Sequence, residues 1–260
     1  MAPEENRGCM EALQAAGRII MENGGETYRV EETVCLMGEG AGLSDVDCFA
    51  VPSGLFISYR LPDGDLQTGV LRVRRRGTDL SRVDAVNSVS RSVAAGEMTL
   101  PEALERLREI DASSGPVRGV WTMLAAFVCA GGFSLLFGGG WRELLLSGAV
   151  AAAVQGMFLL CSLARVQWIA STIAGGFFTA LLSHYAAVWL PGISQEAVVA
   201  GALMPMVPGL AMTSAVQDTL QGDMVSGLSH GTQAILTACL IAGGALLAAA
   251  LIRLLEGGVL

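Results

Sequence analysis

The sequence predicts an α-helical membrane protein with about five transmembrane helices, preceded by a small soluble α+β domain on the cytoplasmic side. Two observations indicate this class. Of the 260 residues, 52% are hydrophobic and 15% are charged, a composition typical of membrane proteins. The charges are also uneven, because residues 1–116 hold 12 Arg and 19 acidic residues whereas residues 117–260 hold 4 Arg and 5 acidic residues. We therefore expect a soluble acidic domain over 1–116 and a transmembrane helical domain over 117–260.

The first domain is predicted to contain two helices, three strands and two further helices, in that order. Apolar residues recur at helical spacing until Asn23-Gly24-Gly25 end the first helix, and a second helix begins near Thr27. Asp63-Gly64 is typical of a hairpin turn between strands. Thr99 and Glu102 have the spacing of a capping box at the start of the last helix.

From residue 117 onward the sequence consists of long apolar runs, each close to the roughly 20 residues that a bilayer requires. We predict transmembrane helices at 117–137, 143–163, 166–190, 197–216 and 231–254. Gly175-Gly176 and Gly243-Gly244 lie inside these runs and permit close helix contact. An odd number of helices leaves an incomplete set for a transporter built from two related halves.

Several classes of function are disfavoured by residues that the chain lacks. It contains no lysine, which excludes the phosphate-binding loop of an ATP-driven pump. Its two histidines, His184 and His230, both lie outside the first domain, so a Ser-His or Cys-His hydrolase centre is not expected there. The spacing of the six cysteines does not match that of metal ligands. The net negative charge gives no sign of a basic surface that would bind nucleic acid. We predict no metal, no cofactor and no enzymatic activity.

The run at 197–216 is interrupted by Pro205, Pro208 and Gly209. Each proline removes a backbone donor, and hydrocarbon cannot replace the lost hydrogen bond. Broken helices of this kind are tolerated where the backbone lines a cavity, which is where transporters bind substrates. The alternative is a kinked structural helix with no ligand.

A polar stretch follows the broken run and is the densest in the apolar half of the chain. A carboxylate at the membrane boundary can bind a proton or cation, or gate a pathway by pairing with Arg. The alternative is that Asp218 and Asp223 cap helices or face water. The polar residues are Gln217, Asp218, Gln221, Asp223 and His230.

Motifs in both halves resemble the threonine/serine exporter (ThrE) family, in particular its shorter, YjjP-like members. The first domain carries AGRIIMENGGETYRVEETV, AVPSGLFISYR and RRRGTDLSRVDAVNSVSRSVAAGEMTLPEALERL. The second domain carries PMVPGLAMTSAVQDTLQGDMVSG, which is similar to the family's proline-proline-glycine run followed by an aspartate and a Gly-Asp pair. The positions that match the recurring pattern are Gly24, Thr27, Arg29, Glu31, Pro205, Pro208, Gly209, Asp218 and Asp223.

The resemblance implies an exporter of small polar metabolites in the cell's inner membrane, for threonine and serine or for a dicarboxylate such as succinate. It also implies a second small membrane subunit that supplies further transmembrane helices, and an oligomeric assembly in the lipid bilayer. Two other classes stay open, a membrane-tethered enzyme and a non-transporting membrane partner or sensor.

On physical grounds we assign two groups of site residues as hypotheses. Backbone amides at the broken run would hold a substrate carboxylate while hydroxyl and amide side chains contact its polar end. The pathway residues are Pro205, Pro208, Gly209, Thr213, Ser214 and Gln217. Asp218 would couple or gate transport, with Arg29 or Arg165 as its partner. The coupling or gating residues are Asp218, Asp223, Arg29 and Glu31, and the alternative for Arg29 and Glu31 is a solvated helix face.

Overall fold

The computed structural model describes residues 3–61, 63–74, 77–113 and 119–256. The chain divides into two compact units. The first unit comprises Met1–Pro116 and Leu210–Thr232, and the second comprises Val117–Gly209 and Gln233–Leu260. The boundary predicted between residues 116 and 117 lies outside the described residues.

The first unit contains the predicted order of two helices, three strands and two helices. The order follows from local signals, since glycine, asparagine or proline lies in the turns between these elements. The elements are α1 (Pro3–Glu22), α2 (Thr27–Gly40), β1 (Ser44–Val51), β2 (Gly54–Arg60), β3 (Leu66–Arg72), α3 (Leu80–Ala94) and α4 (Leu100–Ala112).

The three strands form an antiparallel sheet in the order β1-β2-β3. One face is buried in the core of the unit, where Leu55, Ile57 and Tyr59 of β2 are fully covered. Gly69 of β3 lies directly against Met10 of α1, so a larger residue at position 69 would collide with that helix. The other face of the sheet is exposed.

Three local predictions of turns and caps are confirmed. α1 ends at Glu22, and Gly24 has a φ of 87°, a conformation that glycine adopts without strain. Gly64 in the turn between β2 and β3 has a φ of 91°. The Glu102 carboxylate accepts hydrogen bonds at 2.8 Å from both the backbone N–H and the hydroxyl of Thr99, which caps α4.

The later segment of the first unit is a pair of helices joined by a short turn. α9 spans Gly209–Gln221 and α10 spans Met224–Glu256, and the first unit includes their residues 210–221 and 224–232. The turn contains Gly222, whose φ is 97°. Gly227 of α10 packs directly against Thr219 of α9, so the absence of a side chain allows the two helices to approach closely.

The second unit is helical throughout its described residues. It contains α5 (Val120–Leu136), α6 (Trp141–Leu163), α7 (Trp168–Trp189), α8 (Gln195–Leu203), a 3-10 turn at Met204–Met206 and the remainder of α10.

Among the described residues, α6 and α10 are long and apolar enough to cross a membrane. A third span is present if the chain from Gln195 to Gln221, which bends by 60° at its break, counts as one. The predicted number of five spans is therefore not confirmed. α5 has 17 residues, and α7 does not have the combination of length and hydropathy that α6 and α10 have.

Glycines bring α7 and α10 into backbone contact within the second unit. A Cβ at Gly176 would overlap the Ile241 carbonyl of α10, and a Cβ at Gly244 would overlap the Ile173 carbonyl of α7. The neighbouring Gly243 has nothing within 4 Å of such a Cβ. One residue of each predicted glycine pair thus makes the close helix contact.

Candidate functional site

The residues predicted as one site are distributed over both units. Pro205, Pro208 and Gly209 belong to the second unit. The first unit contains Arg29 and Glu31 of α2 as well as several of the predicted polar residues in the segment of α9 and α10. The α9–α10 residues concerned are Thr213, Ser214, Gln217, Asp218 and Asp223.

Two of the backbone N–H groups at the break between α8 and α9 form hydrogen bonds within the break itself. The Val207 N–H donates to the Met204 carbonyl at 3.1 Å, and the Gly209 N–H donates to the Val207 carbonyl at 2.8 Å. These two amides are therefore occupied. The predicted role of holding a substrate carboxylate would fall to the amides of the first turn of α9, which have no acceptor within their own helix.

Met206, at the end of the 3-10 turn, packs among residues of α6 and α7. Its side chain and that of Phe158 both lie where a Cβ on Gly175 would stand. Its sulfur is 3.9 Å from the Thr179 hydroxyl. Thr179 and Ser183 are fully buried on α7, and the Ser183 hydroxyl has no hydrogen-bond partner within the described residues.

The buried carboxylate of Asp218 is hydrogen-bonded to His230 in the first unit. Asp218 is 0% exposed, and its Oδ2 lies 2.8 Å from Nδ1 of His230. Its other oxygen, Oδ1, has no hydrogen-bond partner among the residues that the structure describes. The alternatives for Asp218, a helix cap or a side chain facing water, are not what the structure shows, because the carboxylate is enclosed between α9 and α10.

In this structure Arg29 pairs with Glu26 and not with Asp218. Its Nε is 2.9 Å from Glu26 Oε2, one turn away on the helix surface, and its guanidinium lies 5.6 Å from the centre of the Tyr28 ring. The Tyr28 hydroxyl accepts a hydrogen bond from Gln217 Nε2 at 3.0 Å. Arg165, the other predicted partner, belongs to the second unit.

Glu31 faces three other carboxylates rather than a cation. Its Oε1 accepts the backbone N–H of Ala50 in β1 at 2.8 Å. Burial raises the pKa of Glu31, and the negative charges of Asp223, Asp47 and Asp218 raise it further. Burial and the Asp218 charge also raise the pKa of Asp223, in the turn before α10. The cluster therefore favours binding of a proton or another positive charge.

Sequence reasoning missed two members of this cluster as site residues, His230 and Tyr28. His230 is one of two histidines in a chain without lysine, and it follows Asp218 by 12 residues across the Gly222 turn. Tyr28 lies inside the GGETYRV motif. Within the described residues, no three His, Cys, Asp or Glu side chains are arranged to hold a metal ion.

Comparisons with known proteins also indicate a membrane protein. The chain is 23% identical over 264 aligned residues to a protein of Mycobacterium tuberculosis (strain ATCC 25618 / H37Rv) named "Probable threonine/serine exporter". The alignment covers 91% of this chain and 50% of that relative, so the chain spans about half the relative's length. No solved structure matches it. A family model described as "Putative threonine/serine exporter" matches residues 11–252, nearly the whole chain, and the protein therefore belongs to the threonine/serine exporter family.

Proposed function

We propose that the chain is a subunit of a secondary-active exporter that moves small, carboxylate-bearing metabolites out across the cell's inner membrane, with its first domain in the cytoplasm. Membership of the exporter family supports this, and the relative's name makes threonine and serine the first substrates to test. Succinate is the second, because the carboxylate that the site would recognise is common to all three.

The observation that carries the proposal is the Asp218–His230 pair. A carboxylate that is 0% exposed and has one oxygen without a partner is costly to keep charged. Ionisable side chains buried among membrane helices are the groups that transporters use to couple ion movement. Asp218 lies in α9, the helix that directly follows the Pro205–Pro208 break. The proposed ion-binding group and the broken helix are therefore close together in the sequence.

A second small membrane subunit completes the proposed exporter. The chain spans 50% of its relative, and its described residues supply two or three spans by length and composition. The five-span arrangement stays a prediction, and in either case we propose that the second subunit contributes helices to the pathway.

The test is efflux of preloaded, labelled threonine, serine and succinate from cells that express the chain, alone and together with a candidate for the proposed second membrane subunit. We expect Asp218→Asn and Pro208→Ala each to slow efflux at least tenfold while the amount of protein in the membrane is unchanged. Asp84→Asn, on an exposed face of α3, is the matched control and should transport normally. Wild-type efflux rates in both Asp218→Asn and Pro208→Ala would refute the proposal.

A further inference from the structure

The outward face of the sheet in the first unit is apolar where an antiparallel sheet ordinarily presents polar side chains to water. Phe49, Phe56 and Val70 stand opposite one another on the three strands and are 52%, 46% and 63% exposed. The two phenylalanine rings lie 6.2 Å apart. We call Phe49, Phe56 and Val70 the apolar row. A contiguous exposed row of this kind marks an interaction surface.

Opposite charges flank the apolar row on the same face. Side chains alternate between the two faces of a strand, so Asp47 shares a face with Phe49, and Arg72 shares one with Val70. Asp47 pairs in register with Ser58, and Arg72 pairs with Gly54 at the other side of the row. Asp47 and Arg72 therefore lie at diagonally opposite corners of the exposed sheet face. Both are exposed, and within the described residues neither is in an ion pair.

We propose that a second copy of this chain covers the apolar row. In a two-fold symmetric contact, each copy presents the same surface to the other. A two-fold axis that lies parallel to the sheet above Phe56, perpendicular to the line from Asp47 to Arg72, places the Arg72 of each copy beside the Asp47 of the other copy and packs the apolar rows together. An anionic bilayer fits the face less well, because residues 1–116 carry a net charge of −7 and Asp47 would be repelled.

The size of the face sets the strength of this contact. Three strands about 4.8 Å apart and about 7 residues long present a footprint of about 14 Å by 24 Å. That is less than half of the roughly 800 Å² per partner that stable soluble complexes bury. The contact should be weak between free domains and effective between chains that a membrane holds at high local concentration.

Charge reversal tests the proposal in the intact chain. Two copies carrying different fluorescent proteins are co-expressed, and energy transfer between them is measured in native membranes. Asp47→Arg alone places two Arg residues together at each contact, and Arg72→Asp alone places two Asp residues together. We expect energy transfer in each case to fall at least threefold. When an Asp47→Arg copy is co-expressed with an Arg72→Asp copy, both contacts again join opposite charges, and transfer should return.

Two controls define the remaining outcomes. Asp84→Arg, an exposed charge reversal on α3 away from the sheet, should leave energy transfer unchanged. Phe56→Ser should reduce it without affecting membrane insertion. The proposal is overturned if the mixed pair stays as low as the single variants, or if Asp47→Arg alone leaves energy transfer unchanged. Because Asp47 also affects Glu31, efflux is not the readout, and failure here leaves the exporter proposal standing.

Discussion

At the scale of single residues, the two histidines offer a natural comparison. His230 lies 2.8 Å from the carboxylate of Asp218, and His184 lies 2.8 Å from that of Glu256. The carboxylates differ in burial, since the Asp218 side chain is 0% exposed and that of Glu256 is 51% exposed. Water can replace the partner of Glu256 but not that of Asp218. Equal distances should therefore have unequal energetic consequences.

Replacing His230 should show this difference. His230→Ala leaves a buried, unpaired carboxylate, and we expect a loss of about 3 to 5 kcal/mol in the free energy of unfolding. His184→Ala should cost about 1 kcal/mol or less, as exposed pairs do. Denaturation of the purified chain in detergent measures both. Asp218→Leu combined with His230→Leu should recover most of the loss, and a double variant as unstable as His230→Ala would contradict the explanation.

Glu31 makes stability depend on pH in a definite direction. The pKa of Glu31 is raised in the folded chain, so protonation of Glu31 stabilises the folded state at low pH. This stabilisation is lost as the pH rises through the raised pKa. Glu31→Gln keeps an oxygen to accept the Ala50 N–H but removes the repelled charge. We expect its melting temperature at pH 7.5 to exceed that of the wild type by about 2 °C. The difference should shrink as pH falls.

Glu102 provides a control for this measurement, because its pKa is shifted in the opposite direction to that of Glu31. The Thr99 backbone N–H and hydroxyl, which donate to its carboxylate, lower the pKa of Glu102. The charged Glu102 carboxylate therefore stabilises the folded state at neutral pH, and this stabilisation is lost as the pH falls through the lowered pKa. Glu102→Gln should melt below the wild type at pH 7.5 and approach it in acid. Parallel pH profiles for Glu31→Gln and Glu102→Gln would contradict both assignments.

At the scale of secondary-structure elements, the contact between α7 and α10 depends on which glycine faces the partner helix. Gly244→Ala forces a methyl group into the Ile173 carbonyl, and we expect a loss of about 1 to 3 kcal/mol. Gly243→Ala meets open space and should be neutral or gain up to about 1 kcal/mol from helix propensity. Thermal denaturation in detergent compares them. Equal effects of these adjacent substitutions would show that the helices do not touch there.

Sequence patterns predicted the elements of the first domain well because turns and caps are local. The start of α10 was harder, since Met224 begins the helix whereas the apolar run was predicted to begin at Gly231. Hydropathy does not reveal that polar residues such as Ser226 are buried inside a continuous helix. Asp218 was predicted as a site residue, whereas its contact with His230 depends on how two helices lie side by side. Arg29 instead pairs with a neighbour one turn away.

At the scale of the whole molecule, the first unit is assembled from distant parts of the chain. Residues 1–116 and 210–232 form one compact unit, although the 93 residues from 117 to 209 lie between them. The Tyr28–Gln217 hydrogen bond joins residues that are 189 positions apart. Such long-range contacts form late, because the intervening chain must first be brought into a loop.

This discontinuity fixes an order of events during synthesis. The ribosome completes residues 1–116 long before it reaches Asp218 and His230, so the early domain must wait with Tyr28 and Glu31 uncovered while the intervening apolar helices are inserted. The acidic cluster then closes as one of the last steps of biogenesis. A chain whose helices have failed to insert correctly would not present α9 to that domain, and the Tyr28–Gln217 contact would stay unformed in misinserted molecules.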